Sequence, residues 1–170
     1  LVLRSGEIVK ARAVAANVGP KLLFRDLIAA GDVDPETREK FLAIKTGSGT
    51  FRMNVALAEL PDFTSRPGKD LGPHHGSGIV IGPTLSYLER AYLDARTHGW
   101  SREPVVEMLI SSTFDPSLAP PGRHVASLFV QHVAPKLPDG LSWSNAHERE
   151  AFADLVIETV TRHAPNFKSS

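Results

Sequence analysis

Phe51-Arg52-Met53-Asn54-Val55-Ala56-Leu57-Ala58-Glu59-Leu60 is the stretch on which the fold turns. Bulky apolar side chains at 51, 53, 55 and 57 alternate with Arg52, Asn54, Ala56 and Ala58. A period of two puts the two sets on opposite faces of an extended strand. The first face is built for a core. On the second, Asn54 stands beside small alanines, and such a face either approaches a ligand or packs under a helix; the pattern leaves both open.

Working outward, residues 78–81 form a short strand, 105–112 is β-rich, and 124–133 is another strand. Ser127 and Gln131 share a face of that last strand with Phe129 and Val133. Buried amides need partners, and backbone, water or substrate can supply them. Residues 84–98 form a helix with Leu85, Leu88, Tyr92 and Ala95 on one face and Gly99 at its C-terminal cap. Asn145 and Glu148 make a capping-box-like start to a final helix with Ala151, Phe152, Leu155, Val156, Thr159 and Val160 on its buried face.

Toward the N-terminus, residues 1–3, a turn at Arg4-Ser5-Gly6 and residues 7–16 read as a hairpin. Gly19-Pro20 opens a helix through Leu23, Phe24, Leu27 and Ile28, and Asp34-Pro35 opens a second with Phe41, Leu42 and Ile44 buried. Residues 46–50 and 114–122 are loops. The long proline- and glycine-rich loop 61–76 has a length that is often functional or mobile. Strands that follow one another directly usually pair antiparallel, so the order implies an α+β fold, a largely antiparallel or mixed sheet with helices on one face.

With 170 residues, 42% hydrophobic and 22% charged, the composition is that of a soluble globular domain. Nineteen basic residues balance nineteen acidic ones, which argues against a nucleic-acid or anionic-membrane partner. The absence of cysteine removes disulfides, thiolate nucleophiles and sulfur-ligated metals. The reading is a soluble intracellular protein, cytoplasmic in a bacterium, with a mitochondrial address allowed in a eukaryote. Opening on Leu1 in place of Met, the chain reads as a cut piece of a longer polypeptide.

Local chemistry is sparse. No G-x-G-x-x-G lies between a strand and a helix, where backbone N–H groups would meet a dinucleotide pyrophosphate. Gly47-Ser48-Gly49 and Gly76-Ser77-Gly78 with Gly82 have the wrong spacing and feed strands. His74-His75 lacks a third ligand at metal spacing, so it reads as a solvated loop pair or, for His75, a substrate contact. His147 and Glu150 do not complete a zinc motif, and Ser111-Ser112 has no visible base. Asp115-Pro116 begins a turn. No catalytic or metal-binding residue is expected; the candidate substrate-binding residues are Asn54, His75, Ser127 and Gln131.

Five stretches together resemble a known superfamily: Ala11-Arg12-Ala13-Val14-Ala15-Ala16-Asn17 with Pro20; Asn54-Val55-Ala56-Leu57 with Leu60-Pro61; Pro73-His74-His75; Arg102-Glu103-Pro104-Val105-Val106-Glu107; and Asp115-Pro116-Ser117-Leu118-Ala119-Pro120-Pro121-Gly122-Arg123-His124-Val125-Ala126-Ser127-Leu128-Phe129-Val130-Gln131. The likeness is to the flavin-dependent amine-oxidase and phytoene-dehydrogenase superfamily, in the branch named for a pyridine nucleotide-disulfide oxidoreductase domain, and it covers almost the whole chain. His132 departs from it, since animal members carry a tyrosine there.

The resemblance implies that residues 1–17 are a hairpin returning from a flavin-binding domain and that residues 18–170 are the substrate-side domain. FAD would belong to the intact parent protein, with none bound to this chain. The implied partners are the flavin-binding domain of the same polypeptide and a small apolar or amine substrate, with self-association of the isolated chain. The implied chemistry is hydride transfer from an unactivated or amine-adjacent carbon to the flavin, with this chain inert alone. The other reading is a free-standing, non-catalytic ligand-binding or interaction module of the same fold.

Overall fold

The computed structural model describes residues 1–46, 49–68 and 70–170. Its sheet is built around β4 (His124–Val133), which pairs antiparallel with β1 (Gly49–Leu57) on one side and β3 (Trp100–Leu109) on the other. The short β2 (Ile79–Ile81) adds to the far edge of β3, giving the order β1-β4-β3-β2. The fold is α+β with an antiparallel sheet, as the strand pattern predicts. One rung runs Met53, Leu128, Met108, Ile79 and faces the core. The adjoining rung runs Arg52, Phe129, Glu107, Val80 and faces the other way.

Helix α4 (Ala146–Thr161) covers the core face, and Phe152, Val156 and Val160 lose all exposure against Val106, Ala126, Leu128 and Val130. The Phe152 ring lies edge-on to Phe51 at 5.0 Å and also meets Trp100 and Trp143. Contrary to expectation, Ala151 is exposed and Leu155 only half-buried, because the buried stripe is centred on 152, 156 and 160. The Asn145 side chain caps the helix by accepting from the His147 N–H at 3.2 Å.

Helix α3 (Leu85–His98) is capped by Thr84, which accepts from the Tyr87 N–H, and it ends at Gly99 with φ at +91°. Its buried face keeps Ala95 and the half-buried Leu88 of the expected set but is rotated away from the other two. Tyr87, Ala91 and Ala95 are buried, whereas Leu85 is 85% exposed and Tyr92 45%. The Tyr87 hydroxyl reaches the Pro104 carbonyl at 2.9 Å, in a bulge of β3 between Trp100 and Val105, and this contact sets the helix's rotation. A second irregularity corrects β4: His132 has φ of +60°, so Val133 turns into the core and does not share a face with Gln131.

Residues 1–46 form a separate unit. Its hairpin closes only at the Val2–Ile8 bridge, with Gly6 at φ +85°; residues 7–16 do not continue as the expected strand. Helix α1 (Pro20–Leu22) widens into a π turn, Leu23–Leu27, closed by the Ile28 N–H on the Leu23 carbonyl. Asp34 caps α2 (Pro35–Leu42). Phe24 and Phe41 stack at 4.1 Å, Leu42 is half-buried, and Ile44, expected inside, is exposed.

The described residues of the 61–76 loop, read above as functional or mobile, are pinned. Asn166 accepts from the Asp62 N–H at 2.7 Å and donates to Glu59 Oε1 and the Leu60 carbonyl, while the Thr64 N–H reaches the His163 carbonyl. His75 is fully buried at the loop's hub. Its Nδ1 accepts from the Gly72 N–H at 3.0 Å, so Nε2 carries the proton and donates to the Pro61 carbonyl at 2.9 Å. The His74 ring lies 3.8 Å from it, with both ring nitrogens buried and unpaired. Burial, reinforced by His75 and Arg66, pushes the His74 pKa below its ordinary 6.5.

Two outcomes are expected. Asn166→Ala removes three hydrogen bonds between segments about a hundred residues apart and should lower unfolding stability by about 2 kcal/mol in a urea titration. A loss indistinguishable from zero would mean that the loop is held otherwise. The His74 pKa is lower folded than unfolded, so the unfolded chain binds the extra proton first as pH falls below 6.5. Stability should therefore drop on acidification through that window and level off below the folded pKa. His74→Phe should flatten the slope without abolishing it, because burial also lowers the His124 pKa; an unchanged slope would show that His74 does not contribute.

Candidate functional site

The face of the sheet turned away from α4 carries a groove of about 610 Å³. Its floor is the rung Arg52, Phe129, Glu107, Val80 beside the rung Asn54, Ser127, Leu109. Val80 is 63% exposed and Leu109 42%, although both sit in regular strands. A cavity of this volume, mainly apolar with a few converging polar groups, has the dimensions of a small-molecule site.

Three side chains dominate its electrostatics. The Arg52 guanidinium lies over the Phe129 ring at 5.3 Å and reaches Ser127 Oγ at 3.4 Å, a long contact. Among the described residues it has no carboxylate partner. Glu107 accepts a 2.6 Å hydrogen bond from the Gln131 amide, which satisfies one oxygen and holds Gln131 in place. Beyond Asn54 the same strand face continues over Ala56 and Val125, and these two with Ala58 border a second hollow of about 410 Å³, walled by Leu118, Ala119 and Pro120.

Of the candidate substrate residues, Asn54 and Ser127 are direct cross-strand partners and both line the groove. Gln131 stands on the same strand face and meets the groove through Glu107. His75 is apart from them, enclosed in the loop hub with both ring nitrogens engaged. Sequence reasoning passed over Arg52 and Glu107, although the alternation that singled out Asn54 also places Arg52 on its face.

It also passed over His124 as a neighbour of Ser112. Ser112 Oγ accepts from the Val125 N–H at 3.1 Å and lies 3.4 Å from His124 Nδ1. No hydrogen bond among the described residues orients the other ring nitrogen, so the pair lacks the third member of a triad. Asp115 makes the expected turn, accepting from both the N–H and the hydroxyl of Ser117, which lowers its pKa.

The chain shows no glycine-rich strand-to-helix turn among its described residues. Its nearest strand-to-helix junction, β2 to α3 through Gly82-Pro83-Thr84, has one glycine, and a Cβ there would stand 2.8 Å from Leu88 Cδ2. Thr84 already caps the helix. Gly76-Ser77-Gly78 is a turn into β2, and Gly47-Ser48 lies outside the described residues. No group of three His, Asp or Glu side chains among the described residues could hold a metal ion, and no helix there is long and apolar enough to cross a membrane.

Over its whole length the chain is similar to pyridine nucleotide-disulfide oxidoreductase domain-containing protein 2 of Mus musculus, 34% identical over 175 residues, and of Rattus norvegicus, 33% identical over 175 residues. The alignments take in 100% of this chain and 30% of each relative. No family model matches the chain, and no solved structure matches it. The chain thus spans about 30% of the length of the curated relatives it matches, and the likeness is to proteins named as oxidoreductases.

Proposed function

We propose that this chain is the substrate-side domain of an FAD-dependent oxidoreductase of the phytoene-dehydrogenase-like and amine-oxidase-like class, inert alone, with its substrate lying on the open sheet face. The observation that carries the reading is the groove, a concave surface lined by the partnered residues Asn54 and Ser127. The similarity to longer proteins named as oxidoreductases gives it its chemical class. Residues 1–17 are then the hairpin returning from the flavin-binding domain, and that domain of the same polypeptide holds the FAD. When bound, the flavin would supply the acceptor for a hydride from a C–H or amine-adjacent carbon. This chain's part is to position the substrate and keep water away.

One feature favours a second reading. The groove is lined by residues of this chain itself, so a free-standing module of the same fold could bind a ligand without any flavin. On the first reading, exposed Val80, Leu109 and Phe114 are surface meant for a cover, and the isolated chain should self-associate.

The full-length gene product is expected to purify with about one flavin per chain while the 170-residue chain carries none. Absorbance spectra of the two preparations test this, and stoichiometric flavin on the short chain would overturn the assignment of the cofactor to the rest of the polypeptide. Light scattering of the short chain should show a mass that rises with concentration, and a concentration-independent monomer would count against a missing cover.

A further inference from the structure

Within the groove the two charged side chains are not equivalent. Glu107 is already bonded to the Gln131 amide at 2.6 Å. Arg52 has only the 3.4 Å contact to Ser127 and the face of Phe129. An arginine laid over an aromatic ring is fixed in direction while its donors stay free, and its planar fork fits the two oxygens of a carboxylate. Asn54, opposite Ser127, lines the same groove. A single guanidinium compensates one negative charge, which favours a monoanion over a phosphate dianion.

Past Asn54 the floor changes character. Ala56 and Ala58 keep it low, and Leu118 and Pro120 wall it, with Arg123, His124 and the terminal Ser170 the polar members of its lining. A ligand bound at Arg52 would therefore lay its apolar part along β1 and β4 into this second hollow.

We infer that the groove takes a carboxylate amphiphile, a single apolar chain with one carboxylate head, and that Arg52 is the residue that selects the head. The inference rests on the groove being the substrate surface and narrows the substrate class from small apolar or amine molecules to monocarboxylates. Ala56 sets the depth of the tail channel.

The test is equilibrium dialysis of the 170-residue chain against dodecanoate, dodecylamine and dodecanol, each below its aggregation concentration. Dodecanoate should bind best, and Arg52→Gln should weaken it roughly tenfold or more, the loss of a charge-assisted hydrogen bond. Arg52→Lys should recover part of the affinity, since it restores charge without the fork. Glu107→Gln should tighten binding by removing a like charge. Ala56→Phe, with an unchanged circular dichroism spectrum, should block the chain but leave acetate binding at Arg52 unaffected. Equal binding of amine and carboxylate, or dodecanoate affinity indifferent to Arg52→Gln, would overturn the selection of a carboxylate and leave the groove as a ligand surface. No binding of any of the three amphiphiles would overturn the groove itself and the proposed function with it.

Discussion

The larger unit depends on the sharing of β4. Its alternate residues Ala126, Leu128 and Val130 have no exposed surface, and on the same strand Ser127, Phe129 and Gln131 face the other way. Both ladders of the sheet's middle run through this one strand, so a slip of one residue would send the three core side chains into the groove and the polar set under α4. Phe152 fixes the alternative that wins. Its ring fits only over the small and branched side chains of the core face, ringed by Phe51, Trp100 and Trp143.

Much of this was legible. The period of two in residues 51–57 and 124–131 marks both strands and both faces, and it finds Asn54 and Ser127 without knowing that they are partners. The caps were readable too: Asp34, Asn145 and Gly99 act where their residue types predict. These features are local, and local sequence contains their cause.

What was not legible has distant causes. The rotation of α3 follows from Tyr87 reaching Pro104, a contact that helical periodicity cannot contain. The 61–76 loop has the composition of a mobile segment, yet its anchor, Asn166, is near the other end of the chain. The left-handed turn at His132 is also invisible in the alternation, and together with the register shifts of β1 and β3 beside it, it moves Val133 from one face to the other. At the site, Arg52 and Glu107 were hidden for another reason: a charge in a strand reads as solvent-facing, and only the surrounding apolar floor shows that this pair borders a groove.

That floor bears on how the open face should be understood. An antiparallel sheet is stable with one face packed and the other in water, and here α4 supplies the packing. On the opposite face Val105 packs under Tyr87 and Ala91 of α3, and the residues beyond that helix are not those of an ordinary wet surface. Water-facing strand positions favour polar side chains, whereas Val80, Leu109 and Phe129 form an apolar bed around a few bonded polar groups. Folding of this unit does not explain such a choice, because each of these side chains could be polar without disturbing Phe152 or its neighbours. On the proposed reading such a surface is kept apolar by what lies on it, and the order of its polar groups, from Arg52 and Asn54 toward the alanines, would give that occupant a head and a tail.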